Sequence, residues 1–110
     1  MEPLIKRRCR PCEGGMPPLE QKFIDEYLES IPLWRQEGIE IKRDFTFPDF
    51  KTALSFVDEI GELAEQEGHH PDITLSWGKV GVSLSTHAIE GLSENDFILA
   101  AKIDAMKKQL

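Results

Sequence analysis

Apolar residues recur at steps of three and four in three stretches of the chain. The first covers residues 19–31, the second follows Asp49 and ends at Gly68, and the third opens at Ser93. Such steps place apolar side chains on one face of an α-helix. Aspartate is a preferred N-cap residue, and glycine commonly follows the last helical residue. The pattern therefore predicts three amphipathic helices, each packing one face on a shared core.

Two stretches between these helices alternate apolar and polar residues, which is the period of a half-buried strand. Residues 39–47 alternate in this way, with Arg43 as the exception. Residues 33–36 are predicted to be the hairpin partner of this strand, joined to it by a turn at residues 37–38. Trp34 in that partner is predicted to pack in the core.

A second hairpin is predicted over residues 73–84. Glycine at the first position of a two-residue loop favours a type II′ turn, which places the turn at residues 78–79. In this register Trp77 lies on the core face, where packing is favoured over contact with a ligand. One further rung would set His70 opposite His87, with Cβ atoms about 5 Å apart. A one-residue slip would move one of the two to the other face.

The predicted order is helix, hairpin, helix, hairpin, helix. This order indicates an α+β fold with a four-stranded antiparallel sheet, helices on one face and the other face open. At 110 residues the chain has room for one core. Residues 19–110 are predicted to form that single domain, after an irregular leader at residues 1–18 that proline and glycine interrupt. No membrane-length apolar run and no apolar signal core occur, so a cytoplasmic protein is expected.

The net charge of −7 is unevenly distributed. Residues 1–12 hold four basic residues and one acidic residue, a net of +3, which leaves −10 for residues 13–110. An acidic body repels a phosphate backbone, so nucleic acid is not expected as a direct ligand. The basic start is expected to be a solvated, frayed terminus, with a small interaction arm as the weaker alternative. Cys9 and Cys12 form a C-x-x-C without a second pair of zinc ligands or a βαβ setting, which favours two reduced cysteines in a loop.

All three histidines of the chain, His69, His70 and His87, fall within 19 positions. Histidine changes charge close to neutral pH, so such a cluster suggests proton transfer. A shared metal ion is the weaker alternative, because adjacent histidines in an extended chain point in opposite directions. Glu65 lies one helical turn before His69. Its carboxylate is placed to form a hydrogen bond with the His69 ring or with an N–H group of a ligand, and the alternative is that it remains solvated. Asp96 follows Ser93 by three residues, which predicts a helix cap.

The spacing of these residues resembles the signature of the pterin-4a-carbinolamine dehydratases. The matching positions are Glu65-x3-His69-His70-Pro71, Trp77, His87 and Asp96, supported by Phe47-x2-Phe50, Ser85-Thr86-His87 and Gly91-Leu92-Ser93. The leader from Cys9 to Gly15 resembles bacterial members of the family. The resemblance covers most of the chain.

The resemblance implies dehydration of 4a-hydroxytetrahydrobiopterin, which aromatic amino acid hydroxylases release, to a quinonoid dihydropterin that a reductase recycles. It implies that His69 and His87 carry out the acid/base work, with either one as the acid, and that His70 positions the substrate or shares the proton transfer. Each such transfer contributes about 10²- to 10⁴-fold. The implied substrate-binding residues are Glu65, Ser85, Thr86 and Asp96. The N5 lone pair assists loss of the hydroxyl, so no metal or cofactor is expected.

Other function classes remain open beside the enzyme. Animal members of the family also serve as dimerisation partners of a homeodomain transcription factor, and family members form dimers or tetramers. A homo-oligomer is therefore expected, and a protein-interaction or oligomerisation module is the alternative to catalysis. A related role on a pterin of molybdenum-cofactor enzymes is a third possibility. The intact histidine set favours catalysis.

Overall fold

The computed structural model describes residues 3–11 and 17–108, and within them three α-helices pack on one antiparallel sheet. The helices are α1 (Gln21–Ser30), α2 (Phe50–Glu67) and α3 (Glu94–Lys108). The strands are β1 (Arg35–Glu37), β2 (Glu40–Thr46), β3 (Asp72–Ser76) and β4 (Lys79–Leu84), arranged in the order β1-β2-β4-β3. This α-β-β-α-β-β-α arrangement confirms the predicted α+β class.

The core lies between the helices and one face of the sheet. The largest fully buried side chains there include Phe45, Phe56, Phe97, Ile41, Ile60 and Leu84. The α2 helix begins where predicted, because the Asp49 carboxylate accepts the Thr52 N–H at 2.7 Å. It ends at Gly68, whose φ of 66° lies in the left-handed region that glycine adopts without steric cost. Both predicted ends of the helix are confirmed.

Arg43, the exception in the β2 pattern, lies on the core face and is held there by two contacts. Its guanidinium covers the Phe45 ring at 4.2 Å from the centroid and pairs with the Asp104 carboxylate at 2.6 Å. The Trp34 indole N–H donates to the same oxygen at 2.9 Å, and Trp34 is buried as predicted. The β1–β2 turn is one residue later than predicted, because Glu37 pairs with Glu40.

The predicted register of the second hairpin is wrong by two residues. Ser76 pairs with Lys79, so the loop is Trp77-Gly78, and Trp77 is 68% exposed instead of lying in the core. Phe47 anchors this loop by donating its N–H to the Gly78 carbonyl at 2.8 Å. Because the side chains of a strand alternate with a period of two, a shift of two residues leaves each strand residue on its predicted face of the sheet. The half-buried positions of β3 therefore remain on the core side.

The predicted rung between His70 and His87 is absent for the same reason. β3 begins only at Asp72, and β4 ends at Leu84. His87 instead opens a short 3₁₀ helix, His87–Ile89. The two histidines must therefore be brought together by the segments that flank the hairpin.

The described part of the leader is held against the body, which makes the frayed terminus a wrong prediction for residues 3–11. Leu4 is buried within a 3₁₀ helix, Leu4–Lys6, and Arg7 pairs with Glu94 at 3.1 Å. Cys12 lies outside the described residues, and the division of the chain at residue 18 remains a prediction. No helix in the described ranges is long and apolar enough to cross a bilayer.

Candidate active site

The three histidines line one cavity at the end of the second hairpin. His69 and His70 follow the reversal at Gly68, between α2 and β3, and His87 follows β4. Because β3 and β4 are antiparallel neighbours, the start of one and the end of the other lie at the same end of the sheet. The cavity, here called the histidine pocket, has a volume of about 260 Å³ and is lined by Arg10, Pro11, Gly68, His69, His70, Ser85, Thr86, His87, Ala88 and Asn95.

His69 is fixed by a buried carboxylate of α3. Its Nε2 lies 2.6 Å from Asp96 Oδ1, and the Asp96 side chain is fully buried. Asp96 Oδ2 also accepts the Ser93 N–H at 2.9 Å, so the predicted helix cap is confirmed. One carboxylate therefore both caps α3 and orients a histidine. When Nε2–H donates to it, the lone pair of neutral His69 lies on Nδ1.

Thr86, which also lines the pocket, holds the same carboxylate. Its hydroxyl donates to Asp96 Oδ2 at 2.8 Å and lies 2.7 Å from the Ser93 hydroxyl. Thr86 and Gly91 are also joined by backbone hydrogen bonds in both directions, which close the loop that carries His87. Ser85 and Thr86 are both buried. The Thr86 hydroxyl thus bonds within the protein, and ligand binding by Ser85 and Thr86 stays a prediction.

Glu65 contacts a different histidine from the one expected. Its Oε2 is hydrogen-bonded to His70 Nε2, and both side chains are largely exposed. The reversal at Gly68 explains the exchange, because it turns His69 toward α3 and brings His70 back over the last turn of α2. The side chains of His69 and His70 therefore meet separate carboxylates in separate environments.

His87 differs from both other histidines. It is exposed, and its ring makes no hydrogen bond to another described residue. The pocket thus combines a partly buried, oriented imidazole, an exposed imidazole next to a carboxylate, and an exposed imidazole without a carboxylate partner among the described residues. Such a set can accept a proton at one point of a bound molecule and donate a proton at another.

Comparison with known proteins identifies the family. The model of the family described as "Pterin 4 alpha carbinolamine dehydratase" matches residues 17–106. The chain belongs to this family. The resemblance drawn from the histidine spacing is therefore confirmed.

Relatives of this pterin carbinolamine dehydratase family member match over nearly the whole chain. Proteins named "Putative pterin-4-alpha-carbinolamine dehydratase" from Rickettsia bellii (strain OSU 85-389) and Azoarcus sp. (strain BH72) are 49% and 48% identical. The Rickettsia match covers 94% of each chain, and the Azoarcus match covers 92% of this chain and 88% of the relative.

Two solved structures share the fold. A Brucella melitensis protein described as a "transcriptional coactivator/pterin dehydratase" has a TM-score of 0.77 and 32% identity, covering 81% of this chain and 97% of its own. A pterin dehydratase-like protein described as a RuBisCO assembly factor has a TM-score of 0.56 and 24% identity, covering 66% and 84%. At that identity the second likeness concerns the fold alone.

In this family member, five pocket residues were not predicted as site residues from the sequence: Arg10, Pro11, Gly68, Ala88 and Asn95. Asn95 adjoins Asp96, but Arg10 is 85 positions away from Asn95. The only signal in the sequence was the excess of positive charge at the start of an acidic chain. Within the described ranges, no group of three or more histidine, cysteine, aspartate or glutamate side chains is arranged to hold a metal ion.

Proposed function

We propose that this protein catalyses the dehydration of a 4a-hydroxytetrahydropterin to a quinonoid dihydropterin by histidine acid/base catalysis. The observation that carries the proposal is the pairing of buried Asp96 with His69 in the pocket that His70 and His87 also line. Membership of the pterin carbinolamine dehydratase family supports the substrate class. This elimination needs one proton transfer to the bound molecule and one proton transfer from it, which matches a set of histidines around one pocket.

The elimination breaks one bond to oxygen and one bond to hydrogen. The C4a–O bond breaks as an imidazolium delivers a proton to the leaving hydroxyl, which departs as water. A neutral imidazole accepts the N5 proton, and the electron pair left on N5 forms the N5=C4a double bond. No redox step or co-reactant is needed, because the substrate loses only water.

The environments of the histidines suggest how these roles are divided. His69 is proposed as the base, because Asp96 holds its Nε2–H and stabilises the imidazolium that forms when Nδ1 accepts a proton. His87 is proposed as the acid, because its exposed ring exchanges protons with solvent between turnovers. His70, held by Glu65, is proposed to position the pterin or to share the transfer. Ser85 and Thr86 are proposed to bind the polar edge of the pterin.

The test is the stopped-flow decay of 4a-hydroxytetrahydrobiopterin generated by a hydroxylase. The wild-type protein is expected to accelerate the decay, with or without a chelator. A folded His69→Ala/His87→Ala double variant is expected to lose the acceleration. A wild-type protein that is folded but does not accelerate the decay would overturn the proposed activity.

The wider setting is proposed from the family resemblance. The substrate would come from an aromatic amino acid hydroxylase, in the cytoplasm, and the protein would be a dimer or tetramer. Multi-angle light scattering tests the oligomeric state directly. Should catalysis be absent, a pterin-binding, protein-interaction or molybdenum-cofactor-related role would replace it.

A further inference from the structure

The N-terminal segment, residues 3–11, is attached to the two places that also position the His69–Asp96 pair. The Cys9 N–H donates to Glu67 Oε1 at 2.9 Å, and Glu67 is the last residue of α2, two positions before His69. The Arg10 N–H donates to Asn95 Oδ1 at 2.9 Å, and the Asn95 amide donates back to the Arg10 carbonyl. Asn95 directly precedes Asp96.

These attachments are partly buried, so they hold the segment in a defined place. The Glu67 side chain is only 5% exposed and also accepts from Lys102 at 2.6 Å. Asn95 is buried, and both hydrogen-bonding groups of its amide are used by the Arg10 backbone. A two-point hydrogen bond between one side chain and one backbone unit fixes orientation as well as position.

The attached segment forms part of the histidine pocket. Arg10 and Pro11 line the pocket together with all three histidines. Arg8 does not line it, although it lines an adjoining cavity of about 270 Å³ that Arg10 and Pro11 also line. Arg7 and Arg8 are in contact with acidic groups of the body, Glu94 and Glu67 respectively. Of these three arginines, Arg10 is the one that lines the histidine pocket.

We propose that Arg10 is a substrate-binding residue, held at the histidine pocket by Asn95, whose guanidinium binds the carbonyl edge of the pterin. This inference rests on the proposed function for the identity of the ligand. A guanidinium carries N–H donors and no acceptor, so it matches a carbonyl oxygen, and it also stacks on flat heterocycles. Asn95 acts through Arg10 and is a positioning residue.

The test measures binding and turnover separately. The binding probe is 7,8-dihydrobiopterin, which lacks the 4a-hydroxyl and cannot be dehydrated, titrated by calorimetry. Arg10→Gln is expected to raise its Kd about tenfold or more, in line with loss of a hydrogen bond from a charged donor. Arg10→Lys is expected to recover part of the affinity. In turnover, Arg10→Gln is expected to raise KM more than it lowers kcat.

Arg8→Gln is the matched control, because it removes the same charge two positions away and outside the pocket. It is expected to change Kd and KM less than twofold. Asn95→Ala is expected to weaken binding, and its effect is expected not to add to that of Arg10→Gln in the double variant, since both disrupt one contact. Thermal unfolding of each variant checks that it is folded.

The outcomes separate this inference from the proposed function. Equal effects of Arg10→Gln and Arg8→Gln, or additive effects of Arg10→Gln and Asn95→Ala, would overturn the role of Arg10. A wild-type protein that binds the probe through Arg10 but does not accelerate the decay of the hydroxypterin would overturn the activity and leave the binding role. If the wild-type protein accelerates the decay and Arg10→Gln does not weaken binding of the probe, the activity stands and the role of Arg10 is overturned. Failure of the wild-type protein to bind the probe would also overturn the role of Arg10.

Discussion

The buried carboxylate of Asp96 contacts the His69 ring at 2.6 Å, across 27 positions of sequence. The same carboxylate accepts the Ser93 N–H at the start of α3 and the Thr86 hydroxyl. The start of α3, the segment after α2 and the segment after β4 thus converge on one side chain. This convergence determines which substitutions will affect activity, stability or both.

Asp96→Asn is expected to lower kcat about 10²-fold or more, because an amide neither holds the His69 tautomer as the carboxylate does nor stabilises the imidazolium. Stopped-flow decay of the hydroxypterin across pH measures the loss. Asp49→Asn is the matched control, since Asp49 caps α2 away from the pocket. Its activity is expected to stay at the wild-type level. Equal activities of the two variants would contradict the role assigned to Asp96.

Thr86→Val is expected to reduce stability and activity together. Valine has the shape of threonine but removes a donor from buried Asp96, which costs about 1–3 kcal/mol. Urea unfolding and the hydroxypterin assay measure the two effects. Thr74→Val, on an exposed position of β3, is the comparison and is expected to change stability by less than about 0.5 kcal/mol. A Thr86→Val protein with unchanged stability would show that the hydroxyl is not needed by Asp96.

Glu65→Gln is expected to affect catalysis far more than stability. The Glu65–His70 pair is largely exposed, so its loss should cost at most about 1 kcal/mol of unfolding free energy. The fall in kcat/KM is expected to be smaller than that of Asp96→Asn, because His70 is assigned a positioning or shared role. Glu62→Gln, exposed on the same helix, is the control. If both glutamine variants retain full activity, His70 does not depend on Glu65.

Glu67 makes the free energy of unfolding depend on pH in the acid range. Burial alone would raise the pKa of Glu67, but the hydrogen bonds from Lys102 and the Cys9 N–H outweigh it and hold the pKa below its usual value. Because the pKa is lowered in the folded state, this carboxylate contributes its full stabilisation above the ordinary glutamate pKa of about 4.3. The contribution is lost as the pH falls through the lowered pKa of the folded state.

Glu67→Gln is therefore expected to be less stable at neutral pH, by about 3 kcal/mol because it leaves the Lys102 ammonium without its buried partner. Its stability is also expected to fall less than that of the wild type as the pH drops through the acid range. Urea midpoints between neutral and acidic pH, with exposed Glu59→Gln as the control, test this. Parallel pH curves for wild type and Glu67→Gln would refute it.

Cys9 belongs to the same contact. Burial, followed by the charge of Glu67, raises the pKa of the Cys9 thiol to about 12. A thiol with that pKa is protonated at neutral pH and is a poor nucleophile. The expected outcome is slow alkylation of Cys9 in the folded protein at pH 8 and fast alkylation after unfolding, followed by mass spectrometry. Equally fast alkylation in both states would contradict the buried setting.

Local patterns were sufficient to predict the elements and the ends of α2. Steps of three and four, the Asp49 cap and Gly68 are each properties of a few consecutive residues, and all of them appear as expected. The histidine cluster was found in the same way, since His69 and His70 are adjacent and the hairpin returns the chain toward His87.

Pairings set by distant residues were not predictable. The second hairpin turns at Trp77-Gly78 where the Phe47 N–H meets the Gly78 carbonyl, and no feature within the hairpin encodes that contact. Likewise, helical spacing offered His69, and not His70, as the histidine partner of Glu65, because spacing alone does not include a reversal that turns His69 toward α3. The docking of Arg10 on Asn95 depends on 85 intervening residues being folded.

The dual use of Asp96 has a consequence for reading mutational surveys of this protein. A substitution that loosens the first turn of α3, even one that never touches the pocket, also releases the ring of His69. Activity will therefore decline in variants that are still folded and lose only the modest stability of a helix cap, about 0.5–2 kcal/mol. In a screen that measures turnover alone, positions at the start of α3 will then be scored as catalytic, although these residues only form the first turn of the helix.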